Sequence, residues 1–197
     1  MARLIHLNGA PGVGKSTLAQ RYGAEHPGVL VCDVDALRTM IAGWEHDPDA
    51  AGRARTTALA MITAYLGTGH DVVLPQLVAR DDQLARFTAA AEAANSEHVH
   101  LMLVTDPDTV VRRFRERAAQ SRDAWTAFAT AHWDAEGGDA ALREWASRLG
   151  RMDAVRVPST DPEATYRRLL AVLGEGWTGS QRQASPLAPG WRAATDL

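Results

Sequence analysis

The sequence predicts an α/β fold in which helices cover both faces of a parallel sheet of five strands. Short apolar runs typical of buried strands alternate with helical patterns about five times along the chain. Parallel strands need crossover connections, and right-handed crossovers place the connecting helices on both sides of the sheet. A glycine-rich turn directly follows the first apolar run. Ligands of such sheets bind beyond the carboxyl ends of the strands, so the residues that follow strands are the candidates for function.

The elements follow one another in a regular order. The expected strands occupy residues 4–7, 29–32, 72–78, 99–104 and 154–157. The expected helices occupy residues 16–22, 35–41, 51–66, 81–94, 106–149 with a break at 137–138, and 161–173. Glycine is a weak helix former, so Gly23 is expected to end the first helix. Pro75 lies within the third strand, which indicates an edge strand, a bulge or an early strand end because proline cannot donate a backbone hydrogen bond.

The chain divides into one domain and a tail. The helices at about residues 112–149 are polar and form an insertion between the fourth and fifth strands. Residues 174–197 are rich in Gly, Pro, Ser and Gln, a composition typical of segments with little regular structure. We therefore expect one domain over residues 1–173 and a tail over residues 174–197. The oligomeric state is left open, with a homodimer among the options.

Composition and charge exclude several classes of protein. Hydrophobic residues make up 46% of the 197 residues and charged residues 23%, so the chain is not wholly disordered. The net charge of −3 argues against nucleic acid or an anionic membrane as a partner. Cys32 is the single cysteine, which excludes a disulfide framework and a cysteine-rich metal site. No apolar run approaches the ~20 residues of a membrane span, and residues 1–7 lack the pattern of a signal peptide, so we expect a cytoplasmic protein.

A complete phosphate-binding loop follows the first strand and matches the pattern G-x-x-x-x-G-K-[ST]. Its glycines let backbone amides approach phosphate oxygens, and the helix that follows adds its positive dipole end. Lys15 is the single lysine among 21 basic residues, and its compact ammonium suits the β- and γ-phosphates better than a planar guanidinium. The Ser16 hydroxyl is a candidate Mg²⁺ ligand and Thr17 a contact for the α-phosphate, so the loop predicts binding of ATP or GTP with Mg²⁺. The full loop consists of Gly9, Ala10, Pro11, Gly12, Val13, Gly14, Lys15 and Ser16.

Two carboxylates, Asp33 and Asp35, flank one residue at the end of the second strand. Residues i and i+2 of an extended chain point the same way, so both side chains can face the crevice beside the phosphate loop. Phosphoryl transfer needs one carboxylate near Mg²⁺ and another near the acceptor hydroxyl. The alternative is structural, with Asp35 capping a short helix and Asp33 merely ending the strand. Arg38 lies one turn further on, where it can pair with a substrate or with Asp35, or remain a solvated surface residue.

Arginines are concentrated after the fourth strand, at positions 112, 113, 115, 117 and 122. Arg113 and Arg117 are four residues apart and share a helix face. Guanidinium groups stabilise the negative charge that spreads over a phosphoryl group during its transfer, or stack on an adenine ring. The alternative is a solvated basic face that pairs with Glu116 and other acids.

Tryptophans and histidines in the same half of the chain carry weaker signals. Trp125, Trp133 and Trp145 follow the arginine-rich helix and either form an aromatic wall for an acceptor or pack a helical subdomain. The packing interpretation is favoured, because aromatic residues at helical spacing are usually core. The seven histidines show no metal-ligand spacing and are given no role.

Taken together, these motifs resemble those of P-loop small-molecule kinases of the adenylate, shikimate and gluconate kinase type. Within that group the chain is similar to chloramphenicol phosphotransferases and to the bacillar tunicamycin-resistance ATP-binding protein. The resemblance covers about residues 3–173 and implies a three-layer P-loop NTPase fold with strand order 2-3-1-4-5 and a mobile helical lid. The residues that carry it are Asn8-Gly9-Ala10, Asp33-Val34-Asp35, Pro75, Arg112-Arg113-Phe114-Arg115-Glu116-Arg117-Ala118 and Trp125.

The resemblance also implies roles for single residues. Shikimate kinases have an aspartate pair of the same spacing, which by analogy places Asp33 on the metal side and Asp35 on the substrate. Chloramphenicol phosphotransferases use one aspartate of this region as the base, which leaves open which of the two acts here. The arginine-rich helix corresponds to the lid, with Arg113 and Arg117 closing over the phosphates, and the loop that contains Ser159 borders the adenine.

The third strand departs from the family pattern. Many P-loop enzymes end this strand with an aspartate for Mg²⁺. Here Asp71 precedes the strand and so lies at its amino end, away from the phosphate loop. The departure leaves Ser16 and Asp33 as the metal ligands. Gln76 either contacts the acceptor or has a purely structural role. The strand and its continuation read Val72-Val73-Leu74-Pro75-Gln76-Leu77.

The expected activity is ATP- and Mg²⁺-dependent transfer of a phosphoryl group to a hydroxyl of a small molecule. The acceptor could be an antibiotic, a nucleoside or a sugar-like metabolite. One alternative is a zeta-toxin-like kinase of nucleotide sugars, which shares the loop and an acid after the second strand. Another is a nucleotide-binding resistance or regulatory protein that sequesters a ligand without transferring phosphate, and the missing acid of the third strand slightly favours it.

Overall fold

The computed structural model describes residues 1–175 and shows one parallel sheet of five strands. The order across the sheet is β2-β3-β1-β4-β5, which confirms the expected order 2-3-1-4-5. Every neighbouring pair is parallel, so the carboxyl ends of the strands lie along one edge. Most of the predicted tail lies outside the described residues. The strands are β1 (Arg3–Asn8), β2 (Leu30–Val31), β3 (Val72–Pro75), β4 (Glu97–Val104) and β5 (Val155–Pro158).

Helices cover both faces of the sheet. On one face Ile5 of β1 belongs to the same apolar cluster as Leu18 of α1 and Leu169 of α8. On the other face Leu4 clusters with Phe87 of α4 and with residues of α3. No helix within residues 1–175 is long and apolar enough to span a membrane. The helices are α1 (Lys15–Glu25), α2 (Val34–Thr39), α3 (Ala50–Leu66), α4 (Asp81–Ala93), α5 (Pro107–Gln120), α6 (Ala124–Ala135), α7 (Gly138–Leu149) and α8 (Pro162–Val172).

The predicted insertion consists of α5, α6 and α7, which we call the lid. Phe114 of α5 and Leu142 of α7 are buried together, with Trp133 of α6 packed against them. A second cluster joins Val110 of α5 to Ala10 of the phosphate loop. The lid is therefore anchored directly on the loop that follows β1.

The first helix does not end at Gly23, as the sequence predicted, but continues to Glu25. A β-carbon at position 23 would come within 2.5 Å of Val31 Cγ2. Glycine is present here because α1 lies very close to β2, and this contact outweighs the poor helix propensity of glycine. The packing of one element against the next is not visible in the local pattern of helix formers.

The third strand ends at Pro75, which is paired with Leu7 at the end of the ladder. An early strand end was one of the three predicted meanings of this proline. An edge position is wrong, because β3 lies between β2 and β1. The backbone amide of Gln76 donates to the Leu74 carbonyl at 3.1 Å, so the chain turns immediately after the strand.

Candidate active site

The phosphate loop joins the carboxyl end of β1 to the first turn of α1, as the motif predicts. Gly12 has a φ of +80°, and a β-carbon there would lie 2.9 Å from the Val110 carbonyl oxygen. The left-handed backbone and the approach of α5 both require glycine. Asn8 braces the start of the loop, because its Oδ1 accepts from the amides of Gly9 at 2.8 Å and Val78 at 3.0 Å. No sequence pattern predicted this brace, which ties the loop to the segment after β3.

Lys15 donates two hydrogen bonds to carbonyl oxygens of its own loop, to Gly9 at 2.9 Å and to Ala10 at 3.0 Å. Burial lowers the pKa of its ammonium to about 8, against the opposing effect of Asp35. Phosphate oxygens bound in the loop would bring negative charge close to this ammonium. Binding of a triphosphate therefore favours the charged form of Lys15.

Asp33 has two functions at once. Its Oδ1 accepts from the backbone amides of Asp35 at 2.9 Å and Ala36 at 3.3 Å, so Asp33, not Asp35, caps α2. Its Oδ2 lies 3.5 Å from Ser16 Oγ, which donates to it. The structural alternative named Asp35 as the cap of this helix, but the cap is Asp33. The second carboxylate oxygen of Asp33 remains beside the Ser16 hydroxyl.

The Ser16 and Asp33 oxygens fit a magnesium ion. Mg²⁺ binds hard oxygen ligands at about 2.1 Å, so adjacent ligands of one ion lie about 3 Å apart. The observed separation of 3.5 Å needs only a small adjustment. No cluster of three or more His, Cys, Asp or Glu side chains within residues 1–175 could hold a metal alone. Mg²⁺ with few protein ligands is usual where phosphates and water supply the rest.

Asp35 is positioned at the site by a secondary structure that the sequence did not predict. It lies in the first turn of α2 and not in an extended strand, so the argument from alternating strand residues was wrong for this side chain. Burial raises the pKa of its carboxyl to about 6, and the charge of Asp33 adds to the rise, while Lys15 and Arg38 oppose it. A carboxylate with these surroundings is a stronger base than an ordinary aspartate.

These groups line one cavity of about 910 Å³. Gly9 and Ala10 are not part of its wall and contribute through the carbonyls that hold Lys15. Arg38 is also absent from the wall. The predicted site residues that do line the cavity are Pro11, Gly12, Val13, Gly14, Lys15, Ser16, Thr17, Asp33, Asp35, Gln76, Arg113, Arg117 and Ser159.

The two lid arginines differ in their contacts. Arg113 donates to Ser159 Oγ at 3.2 Å and to the Thr160 carbonyl, so it is bound to the loop after β5. Ser159 Oγ in turn donates to the Val13 carbonyl at 2.7 Å, which links that loop to the phosphate loop. Arg117, one turn later, is exposed and makes no hydrogen bond or ion pair with residues 1–175. Arg117 is therefore the one of the two that is available for a phosphoryl group.

Other arginines of α5 follow the alternative interpretation, that of a solvated basic face. Arg112 pairs with Glu116 at 3.3 Å, one turn away on the same helix. Arg115 pairs with Asp134 at 2.6 Å and with Asp139 at 2.8 Å, and so joins α5 to the rest of the lid.

Aromatic side chains of the lid combine the two predicted roles. Trp125 and Trp133 line the cavity. Trp145 does not, and its ring meets Trp133 edge-on with centroids 6.0 Å apart. The first two therefore form a wall and the third packs behind it.

Arg38 lies in an aromatic cage between α2 and the lid. Its guanidinium carbon is 4.6 Å from the ring centroid of Phe128, 5.5 Å from that of Trp44 and 5.7 Å from that of Trp125. Of the alternatives predicted for Arg38, the ion pair with Asp35 is not formed, since no oxygen of that carboxylate lies within 4 Å. Sequence reasoning missed Phe128 and Trp44, because no spacing links them to Arg38.

Gln76 presents an unused acceptor to the site. Its Oε1 is buried without a hydrogen-bond partner among the described residues, and the residue lines the cavity. His6 holds the Gln76 backbone in place, with Nε2 2.9 Å from its carbonyl oxygen. Burial lowers the pKa of His6 to about 3, so the ring is neutral and Nε2 is the donor. His6 thus has a positioning role that the sequence analysis did not assign.

Comparisons with known proteins agree with the geometry. Residues 4–136 match the AAA domain family. Comparison with curated protein sequences gives no match. A tunicamycin resistance protein from Deinococcus radiodurans aligns in three dimensions with a TM-score of 0.62 and 17% identity over 89% of this chain and 98% of that one.

Two further solved structures share the fold. A candidate kinase from Chloroflexus aurantiacus gives a TM-score of 0.65 and 22% identity over 89% of this chain and 99% of that one. A gluconokinase from Sinorhizobium meliloti gives a TM-score of 0.56 and 18% identity over 87% of this chain and 91% of that one. Identities this low show the shared fold alone. Since the family match covers most of the chain, from β1 through the aspartate pair to the lid, the chain belongs to the AAA domain family and has the fold of P-loop kinases.

Proposed function

We propose that this protein is an ATP- and Mg²⁺-dependent phosphotransferase that moves the γ-phosphoryl group to a hydroxyl of a small molecule. One observation carries the proposal: a phosphate loop, a hydroxyl–carboxylate pair suited to Mg²⁺ and a second carboxylate of raised pKa share one cavity. Its volume of about 910 Å³ is near the upper limit for single-ligand sites, which span about 300–1,000 Å³, and leaves room for a second molecule beside the nucleotide.

The nucleotide is held by the phosphate loop. Backbone amides of the loop and Lys15 bind the β- and γ-phosphates. Ser16 and Asp33 are the protein ligands of Mg²⁺, which when bound neutralises charge on those phosphates. Arg113 and Ser159 fix the loop after β5, where the resemblance to related kinases places the adenine. GTP is the other nucleotide that the loop accommodates.

The acceptor is activated by Asp35. With a pKa of about 6 the carboxylate is ionised at neutral pH, and it can take the proton of a hydroxyl as the phosphoryl group is transferred. Gln76 Oε1 is an acceptor for a second hydroxyl of the same molecule. Arg117 stabilises charge on the transferred group, since its guanidinium makes no hydrogen bond or ion pair among the described residues and only lies over the Phe114 ring, 5.6 Å from the ring centroid.

A second function is a nucleotide-binding protein that retains a ligand without phosphorylating it. The carboxyl end of β3 favours it, because Pro75 and Gln76 stand where a carboxylate for Mg²⁺ would strengthen the metal site. A kinase of nucleotide sugars, similar to zeta toxins, would use the same residues as the main proposal and differ only in its acceptor.

The test is a panel of antibiotics, nucleosides, sugars and nucleotide sugars incubated with the protein, ATP and Mg²⁺. We expect one class of acceptor to gain the mass of one phosphoryl group with matching release of ADP. Ligand binding with only trace loss of ATP would support the sequestering protein instead. Phosphate on nucleotide sugars, together with growth arrest on expression, would favour the toxin-like kinase.

A further inference from the structure

One face of α6 forms part of the cavity wall. The residues that line the cavity follow the spacing i, i+4, i+7 and i+8, so they lie on one side of the helix. They are Trp125, Ala129, His132 and Trp133. None of the four is an acid, a lysine or an arginine, and two of them are indole rings. We call Trp125 and Trp133 the aromatic wall, which the proposed function leaves without a role.

The side chains behind the aromatic wall hold its two rings in place. Trp133 meets the Trp145 ring edge-on, with centroids 6.0 Å apart. Trp125 lies 5.8 Å from the Trp44 ring and 5.8 Å from the Phe128 ring, measured between centroids. Both tryptophans are nevertheless only half-buried, so each keeps uncovered apolar surface beside the cavity. A ligand that covers this surface meets rings that are already ordered, which lowers the entropic cost of binding.

The aromatic wall lies close to the carboxylate that is proposed to activate the acceptor. Arg38 follows Asp35 by one turn of α2, and its guanidinium carbon is 5.7 Å from the ring centroid of Trp125. Asp35 and Trp125 line the same cavity, and Pro75 and Leu77 add apolar surface to it. A molecule whose hydroxyl reaches Asp35 therefore has its body beside the aromatic wall.

We propose that the aromatic wall binds a flat aromatic ring carried by the acceptor, so that the substrate is an aryl or heteroaryl alcohol. Aromatic rings that meet offset-stacked or edge-to-face gain free energy beyond the apolar area that they bury. A sugar ring would instead bring several hydroxyls, which a face of two indoles, Ala129 and His132 would leave largely without partners. The inference rests on the proposed function and narrows its acceptor to aromatic antibiotics and nucleosides, in place of sugar-like metabolites.

The first experiment compares three alcohols on protein saturated with a non-hydrolysable ATP analogue and Mg²⁺, so that the nucleotide site is filled. Tryptophol carries a flat indole, 2-cyclohexylethanol an apolar ring that is not flat, and glucose a polar ring. Their Kd values are measured by titration with saturation-transfer NMR. We expect tryptophol to bind saturably and about three- to tenfold more tightly than 2-cyclohexylethanol, and glucose not to bind detectably. Equal affinity for the two apolar alcohols, or tighter binding of glucose, overturns the subsite.

Variants of the aromatic wall locate the binding. Trp125→Leu and Trp133→Leu should each weaken tryptophol binding about three- to tenfold, because the ring is lost while an apolar side chain remains. Trp125→Phe and Trp133→Phe should show a smaller loss, and they provide the same test if a leucine variant does not fold. Tyr65→Leu is the matched control, since Tyr65 is an aromatic residue of α3 outside the cavity wall, and it should leave the affinity unchanged.

Affinity for the ATP analogue should be retained in all of these variants. Its loss in folded Trp125→Leu and Trp133→Leu protein would assign the aromatic wall to the adenine and overturn the subsite. Full affinity for tryptophol in both leucine variants would also overturn it.

Turnover separates the subsite from the proposed function. For an aromatic alcohol that gains a phosphoryl group, the leucine variants should raise KM about three- to tenfold with kcat retained. Transfer confined to sugars and sugar acids overturns the subsite and leaves the kinase intact. Ring-selective binding without transfer to any acceptor supports the subsite and overturns the proposed function.

Discussion

At the scale of single residues, Asp35 couples the stability of the fold to the proposed chemistry. Burial raises the pKa of its carboxyl to about 6, whereas an aspartate in an unfolded chain titrates near 3.9. The folded pKa is the higher one, so the contribution of Asp35 to stability is complete below about pH 4 and is lost as the pH rises through about 6. The ionised base that transfer requires is therefore the form that the fold disfavours.

Asp35→Asn should separate these two effects. We expect acceptor-dependent ADP release to fall by about 100-fold or more, because the proton acceptor is removed. The free energy of unfolding should rise by about 1–2 kcal/mol at pH 8 and remain unchanged near pH 4, after allowance for partial solvent screening. ATP affinity by calorimetry should be retained. Urea unfolding at the two pH values gives the stability.

Asp49→Asn is the matched control for this prediction, since Asp49 is exposed and its side chain makes no hydrogen bond or ion pair within the described residues. It should alter neither transfer nor stability. Full transfer by both Asp35→Asn and Asp33→Asn would show that neither aspartate has the proposed role.

Lys15 leads to a second prediction at the residue scale. Its pKa of about 8 means that the free protein loses this positive charge as the pH rises from 7 to 9.5. We expect the affinity for Mg²⁺–ATP to weaken over that range, and Lys15→Ala to abolish detectable binding in a calorimetric titration. Lys15→Arg keeps its charge at every pH, so whatever affinity it retains should not vary in this way. Affinity of the unchanged protein that is constant up to pH 9.5 would contradict the assignment of Lys15 to the phosphates.

At the scale of elements, the close contact between α1 and β2 makes Gly23 more important than its position in a helix indicates. Alanine normally stabilises a helix by about 1 kcal/mol relative to glycine. Here the added β-carbon would lie 2.5 Å from Val31 Cγ2, on a β-branched side chain that cannot easily move. We expect Gly23→Ala to lower the free energy of unfolding by about 1–3 kcal/mol, measured by urea denaturation.

Gly52 of α3 provides the control, because a β-carbon there would meet nothing within 4 Å. Gly52→Ala should be neutral or stabilising. Val31→Ala added to Gly23→Ala should recover part of the loss, since it removes the methyl group in question. Equal effects of the two glycine substitutions would show that helix propensity, and not packing, determines the result.

The elements also show which features can be predicted from sequence. The positions of strands and helices were predictable from the apolar periodicity, whereas the strand order followed only from the resemblance to P-loop kinases. The phosphate loop was predictable because all of its groups lie within eight residues. Asp35 was placed in the correct crevice for the wrong reason, since α2 begins directly after Asp33 and not after a longer strand. The cage of Arg38 was not predictable, because Trp44 and Phe128 approach it only through the packing of the lid on α2.

At the scale of the whole molecule, one polar network ties distant parts of the chain together at the amino end of the sheet. Arg3 of β1 pairs with Asp71, which precedes β3, and with Glu175, which follows α8, both at 2.6 Å. Tyr22 of α1 donates to the same Glu175 carboxylate at 2.9 Å. This edge lies opposite the phosphate loop, so the network stabilises the sheet without contacting the site.

Glu175→Gln should therefore change stability alone. The substitution removes the charge that faces Arg3 but keeps an oxygen for Tyr22, so we expect a loss of about 1 kcal/mol in the free energy of unfolding. Part of that difference should disappear in 1 M NaCl, because the pair is partly exposed and salt screens it. Glu144→Gln, on an exposed glutamate of α7 with no ion pair among the described residues, should have no effect. Affinity for Mg²⁺–ATP should be the same in all three proteins, and a change of several-fold for Glu175→Gln would mean that the two ends of the sheet are coupled.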